Sequence, residues 1–301
     1  MIKLSNGHCL EYVAAAGVLG FDGRGYPWEY PLRWFKLLDT SLLTVITKTL
    51  FLEKHKGNFR WYAPFDVVKF ITADGETINP FLALIYPRCV DGILNAVDLT
   101  GPGFETWLKE HYLVIQHSNN KVIVSITGEE KDCLMMVKRL QGLKNIVGIE
   151  YDSSCPSNIE NPEKIIRVCS VIRENSELPL LLKLGYSQPY VAIAKELEGK
   201  VEAISLNSVP WQALFPDKES PLAEYGGGGF SGLLAQPFIW KMMFELMQAT
   251  TIPVIGASIW NYEDLVYLQK YGVLAVHFGA IFMLFPWRST KYIKRRLREQ
   301  K

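Results

Sequence analysis

The sequence predicts an α/β chain closed into a (β/α)8 TIM barrel, and three observations predict it. Short runs rich in Val, Ile and Leu recur eight times along the 301 residues, at 11–16, 43–49, 122–127, 147–152, 180–184, 203–208, 253–258 and 275–279. Most are continuous rather than alternating, as expected of parallel strands covered on both faces. Helix-like stretches follow them at 32–39, 104–112, 129–142, 161–174, 189–198, 236–248, 261–271 and 288–299. Strict alternation of strand and helix gives βαβ units, and eight of these close naturally into a barrel. An open doubly wound sheet is the competing architecture, but it generally uses fewer strands.

Local signals support the elements in turn. Asn161, Pro162 and Glu163 place a proline in a first helical turn, and Gln236 with Pro237 does the same. Two connections, 50–103 and 209–235, are too long for simple turns, and loops of this size in a compact domain are commonly functional. Both follow strand C-termini, the face where barrels of this type carry chemistry. With no internal repeat, low-complexity tract or linker, residues 1–301 read as a single domain.

Composition narrows the class. Thirty-two basic and thirty-one acidic residues leave a formal charge of +1, so no global field favours nucleic acid or an anionic membrane. Cys9, Cys89, Cys133, Cys155 and Cys169 form no C-x-x-C pair, which argues against a disulfide framework, an iron–sulfur cluster or a zinc site. No metal is expected, and a reducing cytoplasm suits the thiols. The first ten residues lack a secretion-signal layout, and no eighteen apolar residues run together. His8, His55, His111, His117 and His277 lack ligand spacing and read as structural. The basic tail 291–298 reads as the solvated face of the last helix, and the aromatic stretch 26–35 as packing.

A barrel should gather functional residues at strand C-termini. Those ends carry Ala16 and Gly17, Lys48 and Thr49, Ser125, Asp152, Lys183, Asn207 and Ser208, 256–258, and Gly279 with Ala280. Lysines ending apolar strands are costly to bury unless something polar or anionic receives them, so Lys48 and Lys183 are expected to project into one mouth. Small residues at 256–258 and 279–280 would let backbone N–H groups approach a phosphate after the seventh and eighth strands.

The same residues carry a family resemblance that covers nearly the whole chain. Val45 to Thr49, then Gly57, Asn58 and Arg60, resemble the V-x-K-[ST] strand and G-N-x-x-R loop of dihydroorotate dehydrogenases. Asn95 to Gly103 is similar to N-[AS]-x-G-L-x-N-P-G, and Ser154, Cys155 and Pro156 resemble the catalytic S-C-P-N loop. Leu182 to Leu184 resemble V-K-L, and Asn207 with Ser208 resembles N-[ST]. Gly228 to Gly232 resemble G-G-L-S-G, and Ile252 to Gly256 I-P-I-I-G. Each motif alone is weak; seven in order on the right strands are specific.

The resemblance implies flavin mononucleotide (FMN) and oxidation of a saturated C–C bond in dihydroorotate or a related dihydropyrimidine. It implies that Lys48 contacts flavin and substrate, and that Asn95, Ala96, Val97, Asp98 and Leu99 line the substrate with Asp152, Asn207 and Ser208. Lys183 is implied at the flavin N1/O2 edge, stabilising the reduced anion. Ala16, Gly17, Thr49, Ser125, Asp152 and Leu206 join the cofactor site, with Gly232, Ala257, Ser258, Gly279 and Ala280 at its phosphate end. Cys155 matches the base that takes a proton while hydride passes to flavin N5, and a thiolate favoured by nearby Lys48 suits that role. Cysteine at 155 resembles the soluble class. Homodimerisation is implied only by the resemblance, and the electron acceptor stays open.

Departures fall on the substrate side. Asp152 and Ser157 stand where the family has asparagines, with Asn158 one position later. Asp98 replaces a glycine and Gly101 an asparagine, and the turn from Gly256 to Ile259 is one residue shorter than G-x-G-G-I. A carboxylate facing a substrate carboxylate at ~4 Å, in an effective dielectric near 20, repels it by about 4 kcal/mol unless Lys48 offsets it. Dihydroorotate and a different reduced ring therefore both stay open, as does a non-catalytic relative that only binds a ligand or partner. A sugar-phosphate barrel without flavin fits the strand-end lysines least.

Overall fold

The computed structural model describes residues 1–60, 62–154 and 160–300. Its parallel strands are β1 (Tyr12–Ala14), β2 (Thr44–Ile46), β3 (Lys121–Ile126), β4 (Ile146–Asp152), β5 (Leu180–Leu184), β6 (Ala203–Leu206), β7 (Ile255–Gly256) and β8 (Ala275–Phe278). All eight lie within the runs expected from sequence or within one residue of them. They hydrogen-bond in the order β6-β5-β4-β3-β2-β1-β8-β7. The ring closes where Ile204 pairs parallel with Val254, its N–H donating to the Pro253 carbonyl at 2.9 Å.

Helices pack outside: α1 (Tyr30–Trp34), α2 (Phe104–Glu110), α3 (Glu130–Leu140), α4 (Pro162–Glu174), α5 (Tyr190–Glu196), α6 (Gln236–Ala249), α7 (Tyr262–Lys270) and α8 (Pro286–Glu299). Their caps follow the local sequence. The Asn161 side chain accepts from the Glu163 N–H at 3.0 Å with Pro162 in the first turn of α4. Asn261 and Asp264 form a capping box on α7. In α3 the buried side chains are Cys133, Met136, Val137 and Leu140, the spacing of one helix stripe. The helix expected at 32–39 is a correction: α1 stops at Trp34, because Lys36 adopts φ +56° and turns the chain into a 3-10 turn at Thr40–Leu42.

The two long connections are not plain loops, which is the larger correction. They combine into a five-stranded antiparallel sheet in the order Val209–Pro210, Gly229–Gly232, Gly92–Asn95, Val68–Ile71, Thr77–Ile78. These strands are two to four residues long, and the two connections join where Gly229–Gly232 pairs with Gly92–Asn95, so no local periodicity announces the sheet. A Cβ on Gly232 would lie 2.5 Å from the Gly92 Cα. Glycine is there because two backbones touch.

At the barrel's opposite end an N-terminal hairpin, Ile2–Lys3 paired with Cys9–Leu10, inserts Ile2, Leu4 and Leu10 against Val13, Ile46, Ile123 and Leu181. The interior is therefore apolar at the bottom and polar above. Among the described residues no helix is long and apolar enough to cross a membrane.

Candidate active site

Alternate residues of the barrel strands face inward, and their upper layer is polar. Ser125, Glu150, Ser205 and His277 are all under a tenth exposed. The hydroxyl of Ser205 donates to Glu150 Oε2 at 2.6 Å and that of Ser125 to Oε1 at 3.0 Å. Burial raises the Glu150 carboxyl above its usual range, although nearby Lys183 pulls the other way. Burial likewise lowers His277 to about 4, reinforced by the Lys183 charge, so the ring is neutral near pH 7.

The network climbs from Glu150 to the mouth. Thr49 Oγ1 lies 3.0 Å from Ser125 Oγ and donates to Asp152 Oδ2 at 2.8 Å. Lys183 Nζ meets the same oxygen at 3.0 Å, while the Ser154 N–H and hydroxyl both donate to Oδ1. Burial alone would raise the Asp152 carboxyl; the Lys183 charge and these hydrogen bonds outweigh it and hold the group below its usual range. Lys183 thus supplies a counter-charge to Asp152.

Lys48 serves the loop above. Its ammonium donates to the Asp98 carbonyl at 3.1 Å, and Gly17 (φ +85°) lays its backbone along the Lys48 stem. Asp98 adopts φ +58°, the left-handed conformation for which a glycine is usual. Asn58 braces this loop, its amide donating to the Ala96 carbonyl and its N–H to that of Val97. Asn95 donates to the Gly229 carbonyl at 3.3 Å, tying the start of this loop to the antiparallel sheet.

Three elements converge on Ser153 and Ser154, the residues before Cys155. Asn207 donates to the Ser154 carbonyl at 2.9 Å, Gln188 to that of Ser153 at 2.7 Å, and the Ser153 hydroxyl to the Lys183 carbonyl at 2.9 Å. Cys155 itself, with Ser157 and Asn158, lies outside the described residues. Two cavities flank the segment. One of about 410 Å³ is lined by Ser154, Gln188, Ser208, Trp211 and the glycines 226–228. The other, about 270 Å³, is lined by Phe51, His55, Asp98, Leu99, Asp152, Ser153 and Lys164 among others.

Across the mouth, Ser258 also adopts φ +58°. The Ala257 and Ser258 carbonyls accept from Trp240 Nε1 and Gln236 Nε2, and those of Gly279 and Ala280 from the following helical turn. What these turns offer a ligand is their N–H edge. A Cβ on Gly279 would meet only the Ala15 Cβ, at 3.8 Å, so the backbone there is open to close approach.

The structure thus brings Thr49, Ser125, Asp152 and Lys183 into one network and places Asp98 and Leu99 on one cavity with Asp152. Ser125, Leu206 and Gly232 are buried within the barrel or its sheet, and Asn207 and Ser208 stand beside Ser154. Sequence reasoning missed Glu150, Ser205 and the part played by His277. The available signal was their parity: Glu150 is two residues before Asp152 on the same strand face.

Fold and mouth together define a (β/α)8 barrel enzyme with its polar chemistry at the C-terminal face. The chain belongs to the dihydroorotate dehydrogenase family, whose model matches residues 65–297, and is an oxidoreductase of that type. It is similar to the catalytic subunit of dihydroorotate dehydrogenase B (NAD(+)) from Caldicellulosiruptor saccharolyticus, with 29% identity over 95% of this chain and 87% of that one. The corresponding subunit of Malacoplasma penetrans is 27% identical over 75% of this chain and 78% of its own. The fold is shared with ligand-free dihydroorotate dehydrogenase from Eimeria tenella, at TM-score 0.63 and 13% identity, covering 96% of this chain and 87% of that one.

Proposed function

We propose that this chain is an FMN-dependent dehydrogenase that oxidises the saturated C–C bond of a dihydropyrimidine, dihydroorotate or a related ring. One observation carries the reading: the buried chain from Glu150 through Ser125, Thr49 and Asp152 holds the Lys183 ammonium at the mouth, beside the segment leading to Cys155.

The residues present fit FMN. Lys183 supplies a cation for an electron-rich ring edge, and Lys48, at the end of β2, a second one. The N–H edges of Ala257, Ser258, Gly279 and Ala280, with open space at Gly279, suit a phosphate. When bound, FMN supplies the two-electron acceptor for hydride leaving the substrate. By the family resemblance, Cys155 is the base for the ring proton, Asn95 to Leu99 and Asn207 are the substrate's walls, and Ala16 and Gly17 the cofactor's floor beside Lys48. Residues 1–301 act as one FMN-binding unit. The relatives' name "catalytic subunit" supports a partner chain, and its NAD(+) an eventual acceptor.

Purified protein should be yellow, and anaerobic dihydroorotate or 5,6-dihydrouracil should bleach the flavin band. Colourless protein that does not take up FMN, or flavin that stays oxidised with both compounds, contradicts the proposal. Cys155→Ala should slow bleaching by roughly 10²–10⁴-fold while leaving the colour.

A further inference from the structure

We infer that Glu150 is a proton store for the site: a neutral acid beneath the mouth whose proton reaches Asp152 through the hydroxyls of Ser125 and Thr49. The event that moves the proton rests on the dehydrogenase reading above; the store itself rests on the chain's own geometry.

Four atoms stand in line, Glu150 Oε1, Ser125 Oγ, Thr49 Oγ1 and Asp152 Oδ2, with successive contacts of 3.0, 3.0 and 2.8 Å. All four residues are at most 3% exposed, so bulk water does not complete the set. With both carboxyls ionised, two hydroxyl protons must fill three contacts. Ser125 then donates to Glu150 and Thr49 to Asp152, and the two hydroxyl oxygens face each other at 3.0 Å with no proton between them. One further proton resolves this. On Glu150 Oε1 it reverses the Ser125 bond, and all three contacts become hydrogen bonds pointing toward Asp152. Oε2 stays an acceptor, for the Ser205 hydroxyl at 2.6 Å. Asp152 holds that proton less well, because Oδ2 already accepts from the Lys183 ammonium at 3.0 Å and Oδ1 from the Ser154 N–H. The charged groups facing Glu150 are Lys183 on β5 and Asp152 on its own strand, and His277 on β8 is neutral near pH 7. Burial raises the Glu150 carboxyl, and the Lys183 charge opposes this without reversing it, in agreement with the proton count.

The line can turn over. Glu150 gives its proton to Ser125, Ser125 passes its own to Thr49, and Thr49 its own to Asp152 Oδ2. Three O–H bonds break and three form, no electron moves, and one negative charge passes from Asp152 to Glu150. Lys183 then faces a neutral acid there in place of a carboxylate, and its charge stabilises electrons arriving on a ring bound beside it. A new negative charge ~5 Å from Asp152, in an effective dielectric near 20, favours the shift by on the order of a hundredfold.

The test is infrared difference spectroscopy in water and deuterium oxide at pH ~8, where Glu29, raised by burial to about 7, is mostly ionised. Oxidised, FMN-loaded protein should show the C=O stretch of a protonated carboxyl, lowered in deuterium oxide and missing from Glu150→Gln. Ser205→Ala, which removes the donor to Oε2, should raise the same band and so assigns it even if Glu150→Gln does not fold. Reduction with dithionite should abolish the band in wild type and bring up a second one at another frequency. In Ser125→Ala, which cuts the line, the Glu150 band should survive reduction. Wild type without a protonated-carboxyl band, or with one that neither Glu150→Gln nor Ser205→Ala alters, overturns the store. A band that reduction leaves in place in wild type, or abolishes equally in Ser125→Ala, overturns the relay. Flavin-free protein separates the failures: if it carries the band but takes up no FMN, the dehydrogenase reading and the relay's trigger fall and the store stands.

Discussion

Asp152 ends its strand with both oxygens occupied, and that makes it the most consequential single residue in the mouth. Asp152→Ala strands the Lys183 ammonium and the hydroxyls of Thr49 and Ser154, so unfolding in urea should show a loss of about 3 kcal/mol, whereas the isosteric Asp152→Asn should lose clearly less. His277 gives a pH signature. Its folded pKa of about 4 lies below the 6.5 of an unfolded histidine, so the unfolded chain binds the extra proton first. Stability is fully present above pH 6.5 and falls as pH drops through 4, by on the order of 3 kcal/mol. Thermal unfolding across that range checks it, and His277→Gln should flatten the slope. At this scale the sequence was informative where chemistry sat at strand ends. Lys48, Lys183 and Asp152 were legible as polar residues ending apolar strands, and the structure sets them at the barrel's mouth. The partner of Asp152 was not, because which ammonium reaches it depends on register, with Lys183 lying directly opposite on β5.

At the scale of elements, the barrel strands were legible because each is a continuous apolar run, and the antiparallel sheet was not, because its pieces gain stability only from one another. Val68–Ile71, Gly92–Asn95 and Gly229–Gly232 come from distant parts of the chain and meet side by side. The glycine tract carries the clearest test. At Gly232, φ is +137° and a Cβ would press on Gly92 and on the Asp91 carbonyl at 2.8 Å. Gly232→Ala should cost at least ~2 kcal/mol by urea titration. Asp98 shows the reverse lesson. The family pattern has glycine there, and the backbone does take the positive φ that glycine favours, so an aspartate holds a conformation that its neighbours Lys48 and Asn58 enforce.

For the molecule as a whole, a barrel this divided needs its lower end sealed so that the polar upper layer stays dry from beneath. Leu10 is wholly buried in that seal with Ile2 and Leu4. Leu10→Ala should destabilise the fold by roughly 2–5 kcal/mol, measured by thermal or urea unfolding. We propose that the upper end of the barrel cradles FMN between the strand-end lysines and the β7 and β8 turns. A crystal structure of the FMN-loaded protein tests it most directly. The phosphate should lie on the N–H groups of Ser258 and Ala280, with the ring system against Lys183. A flavin bound elsewhere, or a mouth in which apolar side chains fill the space beside Gly279, would contradict it.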